Sequence, residues 1–297
     1  MIRVGPAGWS YADWEGPIHP RPKPRGYHGL ELLAGVFDCV EINSSFYRLP
    51  RPEHCRDWLQ RTAAHPRFRF TAKLHQDFTH GREQRFGTPR ELDTGLTEFR
   101  AALAPLLESP RFAALLLQFP FSFSPGVREQ RYLAALLAAT RDLHPVLELR
   151  QRAWYVRDHL RAIEAAGASL ARIDLPAAKD HPPADFEGLG PIGYLRLHGR
   201  NSAAWFDPAA GRDERYRYAY ARSELVPLAR SLERIAARSD ATYAITNNHF
   251  GGQAIAAGVE LLALVGQPPQ DLPAHWLEHF PALSAIAGPR PAGDLFG

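Results

Sequence analysis

Short apolar runs recur about eight times along this 297-residue chain, each followed by a segment whose apolar residues fall at helical spacing. The runs cover 2–7, 39–43, 68–73, 113–118, 145–150, 169–173, 193–200 and 241–246, and the clearest helical patterns lie at 28–37, 52–64, 94–107, 128–141, 154–166, 221–238 and 252–265. A strand that passes through a helix before reaching its neighbour returns parallel to it. Residues 113–117 are apolar without a break, as in a strand covered on both faces. Eight such units in this length predict an α/β fold, a single (β/α)8 barrel of TIM type over 1–287 with a tail at 288–297. A doubly wound open sheet is the alternative. The Pro-rich stretch 17–25 and the aromatic stretch after 193–200 read as loop insertions at the C-terminal face of the barrel.

Alternation along the strands then carries the functional reading, because every second side chain of a barrel strand points inward. In 193–200, Tyr194, Arg196, His198 and Arg200 share one face while Leu195 and Leu197 take the other. Applied to all the strands, the same rule collects Glu41, Asn43, Lys73, Gln118, Glu148, Arg150, Asp174, Arg196, His198, Arg200 and Asn247 at the C-terminal ends, where the active sites of such barrels lie. A packed barrel core would hold Val, Ile and Leu instead. His198 with Glu41 or Glu148 suits general acid/base catalysis. Arg150, Arg196 and Arg200 offer forked donors to a phosphate or carboxylate, with Asn43, Gln118, Asp174 and Asn247 to orient it. Trp9, Tyr11 and Tyr47, from the loops after the first two strands, are expected to complete the substrate pocket. Lysine occurs only at 23, 73 and 179 in a chain rich in arginine, so Lys73 at a strand end suggests a role for a titratable amine. The opposing expectation is that Glu41, Glu148 and Asp174 neutralise the arginines internally.

Two other chemistries have candidates. Glu41, His80, Glu148, Asp174 and His198 are metal-ligand types on separate strands and loops, so a divalent metal is conceivable. They lack a tight motif such as HExxH, and the intervening arginines would repel a cation. Arg21, Lys23, Arg25, Arg82 and Arg85 lie in loops near Trp9, Tyr11, Trp14, Trp205 and Tyr216, a mixture that suits nucleic acid but also a pocket lid. A formal net charge of +3 is too small to argue for nucleic acid by itself. The two cysteines, Cys39 and Cys55, suggest no disulfide framework, and neither a signal-peptide layout nor a membrane-length apolar run is present, so the cytoplasm is expected. Walker, Rossmann and Gly-x-Ser-x-Gly motifs are absent.

A series of ordered motifs adds a resemblance. Gly8-Trp9-Ser10-Tyr11 with Trp14 and Gly16, Val40-Glu41-Ile42-Asn43-Ser44-Ser45-Phe46-Tyr47, Phe70-Thr71-Ala72-Lys73 and Leu117-Gln118-Phe119-Pro120 are followed by Glu148-Leu149-Arg150 with Trp154, Arg196-Leu197-His198-Gly199-Arg200 and Thr246-Asn247-Asn248. From first strand to last helix the chain resembles the YecE-like family, domain of unknown function 72. That resemblance implies a TIM-type barrel and a pocket, and no reaction. Gln151 and Ala257 stand where the family often has histidine and asparagine, so neither is expected to be essential. The resulting expectation is an enzyme acting on a small anionic substrate by acid/base chemistry around His198 and Glu41, without a cofactor. A barrel that binds or cleaves nucleic acid, with or without a metal, is the alternative.

Overall fold

Each apolar run finds its neighbours in a parallel ladder. The computed structural model describes residues 1–81 and 88–286. Its strands are β1 (Ile2–Pro6), β2 (Cys39–Ile42), β3 (Arg69–Lys73), β4 (Phe112–Gln118), β5 (Pro145–Glu148), β6 (Ser169–Leu170), β7 (Arg172–Asp174), β8 (Ile192–Leu197) and β9 (Ala241–Thr246). Two ladders form, in the orders β1-β9-β8-β7 and β2-β3-β4-β5-β6. Backbone hydrogen bonds join them. Gly8 N–H donates to Glu41 O at 2.9 Å and Asp38 N–H to Val4 O at 3.3 Å, linking β1 to β2. At the other seam β6 and β7 are two pieces of one strand interrupted at Ala171, whose N–H donates to Leu147 O at 2.8 Å. The ring therefore has eight strand positions, as the alternation predicts.

The interior is narrow. Ala7, Cys39, Ala114, Leu116, Val146, Tyr194, Tyr243 and Ile245 pack inside it, while larger apolar clusters fill the space between strands and helices. Gly5 sets the width at the β1–β2 seam, since a Cβ there would lie 1.8 Å from Cys39 O.

Three local features depart from the sequence reading. The helix expected from 94 begins at Pro89, because Thr88 and Glu91 form a reciprocal cap in which Thr88 N–H donates to Glu91 Oε2 at 2.9 Å. The strand expected over 193–200 ends at Leu197, and Gly199, at φ 88°, turns the backbone out of alternation. The aromatic insertion after β8 holds two short helices, Ser202–Trp205 and Arg212–Arg215. Among the described residues no helix is long and apolar enough to cross a membrane. The expected tail, 288–297, lies outside them.

Candidate active site

The strands deliver most of the anticipated polar side chains to one end of the barrel, in two levels. The lower level is enclosed apart from the edge of Arg150 and centres on Arg196. Its guanidinium donates from Nη2 and Nε to the two oxygens of Glu41 at 2.7 and 3.1 Å, and from Nη1 to Gln118 Oε1 at 3.2 Å. Nη1 also pairs with Glu148 Oε2. Tyr194 OH donates to Glu41 Oε2 at 3.0 Å and lies 2.9 Å from Thr71 Oγ1. Arg150 Nε donates to Glu148 Oε1 at 2.9 Å.

His198 belongs to this level. Its Nε2 is 3.2 Å from Glu148 Oε2 and its Nδ1 is 3.1 Å from Asn247 Nδ2. A neutral ring with hydrogen on Nε2 satisfies both contacts, donating to the carboxylate and accepting from the amide. Burial drives its pKa down to about 4, against the opposing pull of Glu148. Burial alone would raise Glu148, but Arg196, then His198 and Arg150, hold it well below the usual carboxylate range. Burial likewise opposes the charge of Arg196, which Glu148 and Glu41 keep raised.

Above this floor opens a cavity of about 360 Å³ lined by Gly8, Trp9, Ser10, Tyr11, Asn43, Ser44, Tyr47, Lys73, Tyr216, Asn247 and His249. Tyr11 stacks on His249 at 4.4 Å between ring centres, and Tyr216 lies 5.3 Å from the same imidazole, so three rings make one wall. Asn43 donates from Nδ2 to Tyr11 OH at 3.4 Å, while its buried Oδ1 has no hydrogen-bond partner among the described residues. Among the described residues Lys73 is the only ammonium or guanidinium group in the lining, and no carboxylate accompanies it.

Lys73 arrives there because β3 pairs it with inward-facing Leu116 of β4. Its Nζ sits 3.6 Å from the centre of the Phe46 ring and makes no hydrogen bond to any described residue. Burial, then the nearby Arg196 charge, lower its pKa from 10.5 to about 7, while Glu41 and Glu148 oppose the shift. At neutral pH the amine and the ammonium are therefore both well populated.

Some anticipated groupings do not form. Asp174 pairs in register with Leu197, an outward-facing residue, whereas Ile173 pairs with inward-facing Arg196. Beyond Gly199, Arg200 joins Asp174 rather than Arg196. Its Nη2 and Nε donate to Asp174 at 2.7 and 2.9 Å, its Nη1 to Glu224 at 3.2 Å, and Tyr220 OH also donates to Asp174 at 2.6 Å. Asp174 and Arg200 thus form a separate cluster on the flank, away from the substrate cavity expected of them. Arg196 does not present its fork to a ligand, because Glu41, Glu148 and Gln118 already occupy it. The metal constellation Glu41, His80, Glu148, Asp174 and His198 does not assemble: among the described residues no group of three or more His, Cys, Asp or Glu is placed to hold an ion. Of the basic loop residues, Arg21 and Arg25 are exposed and Lys23 pairs with Glu15 at 2.6 Å. Arg82 and Arg85 fall outside the described residues.

Gly8, Ser10, Ser44 and His249 line the cavity without being expected there, and Tyr216 is expected from the sequence as a base-stacking aromatic or as part of a pocket lid. His249 carries a signal: it continues the inward parity of Tyr243, Ile245 and Asn247 past the end of β9.

Comparison with known proteins gives this site a family setting. The family described as "Protein of unknown function DUF72" matches residues 3–281. The chain belongs to this family. Among DUF72 relatives, the UPF0759 protein YunF of Bacillus subtilis (strain 168) is 29% identical over 276 residues, covering 89% of this chain and 95% of YunF. The UPF0759 protein YecE of Escherichia coli (strain K12) is 34% identical over 125 residues, 42% of this chain and 40% of YecE. A DUF72 crystal structure from Thermotoga maritima MSB8 superposes with a TM-score of 0.76 at 26% identity, covering 90% of this chain and 99% of that one. Another, from Enterococcus faecalis V583, gives 0.76 at 25% identity, with 92% and 100% covered. The YecE-like resemblance and the TIM-type barrel are thereby both established.

Proposed function

We propose that this DUF72 protein is an enzyme whose active site is the mouth cavity, and that it transfers a proton to or from a small anionic, hydroxyl-bearing substrate through Lys73. The observation that carries the reading is the state of that lysine: enclosed, without a hydrogen bond to any described residue, bordering the cavity, and with a pKa lowered to about 7. A general base works best when its pKa lies near the operating pH. Arginine, charged at every accessible pH, has no such use. The substrate's charge is inferred from the lining, where among the described residues Lys73 is the only ammonium or guanidinium group and faces no acid. Its hydroxyl groups are inferred from the hydroxyls of Ser10 and Ser44, the unused Asn43 carbonyl oxygen and the flanking rings of Trp9, Tyr11, Tyr47 and Tyr216. His198, Glu41, Glu148 and Arg196 become positioning residues in this reading. They fix the floor and, through the Arg196 charge, keep the Lys73 amine available.

The test is a thermal-shift screen of hydroxylated carboxylates and sugar phosphates on the wild type and Lys73→Gln, with turnover assays on each stabilising compound. Lys73→Gln is expected to keep its fold and lose about 10²- to 10⁴-fold in kcat. A compound turned over equally by both proteins would remove Lys73 from the chemistry.

A further inference from the structure

A second cavity of about 430 Å³ opens beside the first, with Tyr216 as the shared wall. Among the described residues its lining includes three cations, Arg150, Lys179 and Arg215, against one acid, Asp180. None of the three is saturated. Arg150 is ion-paired with Glu148 Oε1 through Nη2 at 2.8 Å and Nε at 2.9 Å, yet Nη2 is buried and not aligned for a hydrogen bond. Arg215 donates from Nη2 only to the backbone oxygen of Asp207, at 3.2 Å, and its Nε is buried with no partner among the described residues. Lys179 forms no ion pair with any described residue. Buried donors left without acceptors cost on the order of 1–3 kcal/mol each, more when charged, so two in one cavity point to an acceptor that arrives from outside.

The rim supplies a second constraint. Phe121 and Phe206, 45% and 50% exposed, are among the few large apolar side chains left open to solvent, and both line this cavity. They flank His181 at 5.6 and 5.7 Å between ring centres. His181 Nδ1 lies 2.7 Å from Pro176 O, which fixes the ring between them. Forked cations below and apolar rings above match a ligand with an oxyanion at one end and a flat apolar body at the other.

We propose that this second cavity is a binding site for the phosphate group of a small aromatic phosphate ester, with Arg150 and Arg215 donating to its oxygens, Lys179 adding charge, and Phe121 and Phe206 covering its ring. Forked donors from Arg150 and Arg215 with the Lys179 ammonium match the three oxygens of a phosphate better than the two of a carboxylate. The site stands on its own residues, independent of any reaction at Lys73, and is read by binding alone.

The experiment is calorimetric titration of the full chain with inorganic phosphate and with phenyl phosphate at low salt, for the wild type, Arg215→Gln, Phe206→Ser and Lys73→Gln. Phenyl phosphate should bind more tightly than inorganic phosphate. Arg215→Gln should weaken both by about tenfold or more. Phe206→Ser should narrow the gap between the two ligands, and Lys73→Gln should leave phenyl phosphate binding unchanged. Thermal melts check that each variant is folded. Absence of saturable binding by the wild type overturns the proposal, as does wild-type affinity in Arg215→Gln. A loss in Lys73→Gln as large as that in Arg215→Gln would move the phosphate to the mouth cavity and overturn it equally.

Discussion

At the scale of single residues, the same charge has opposite uses according to what surrounds it. Arg196 is the most prominent cation of the sequence, yet two buried carboxylates and a glutamine consume its donors. Lys73 is conspicuous in the sequence only for being a lysine, and at the cavity wall it makes no hydrogen bond to any described residue. The difference is one of partners, which no strand pattern encodes. Arg196→Ala is therefore a folding variant before it is a binding variant. It strands Glu41 and Glu148 in the interior and should cost about 3–5 kcal/mol, measured by urea unfolding. A loss below about 1 kcal/mol would mean that the pairs are only weakly coupled to the fold.

At the scale of elements, alternation is a good guide wherever the backbone stays extended. Glu41, Lys73, Gln118, Glu148, Arg196 and His198 all face inward as their parity predicts, and ladder partners such as Glu41 with Thr71 and Gln118 with Glu148 agree. It fails at one break: the positive φ of Gly199 resets the parity of the residues beyond it and sends Arg200 to the flank. Asp174 lies on the outward phase that unbroken alternation already gives, since Leu170 pairs with outward Leu147 and Arg172 with outward Leu195, so its inward assignment mistook the phase of the strand. The break at Gly199 has no signature strong enough to read without the neighbouring strands, since a lone glycine after a strand is equally a turn or a bulge. Gly5 is the converse case, a glycine whose need is geometric. Gly5→Ala would push a methyl group into Cys39 O and force β1 from β2, with an expected loss of about 3 kcal/mol or more by chemical denaturation. Wild-type stability in that variant would show that the seam opens without penalty.

At the scale of the whole molecule, the barrel concentrates polar groups at one end and lets burial tune them. Lys73 leaves a mark on global stability. Its folded pKa, about 7, lies below its unfolded value of 10.5, so between these the unfolded chain holds more protons and stability rises with pH. The burden is full below pH 7 and fades towards pH 10.5. Lys73→Met should accordingly stabilise the protein, with a gain at pH 6 that exceeds the gain at pH 9 by about 3 kcal/mol. Equal gains at both pH values would mean that the amine is not depressed. The most direct test uses the scarcity of lysine itself, because three lysines give three resolvable signals. Nitrogen-15 NMR titration of lysine side chains, assigned by Lys23→Arg and Lys179→Arg, should find Lys73 titrating near pH 7. Titration of the Lys73 signal near the ordinary lysine value of about 10.4 would contradict the account at its centre.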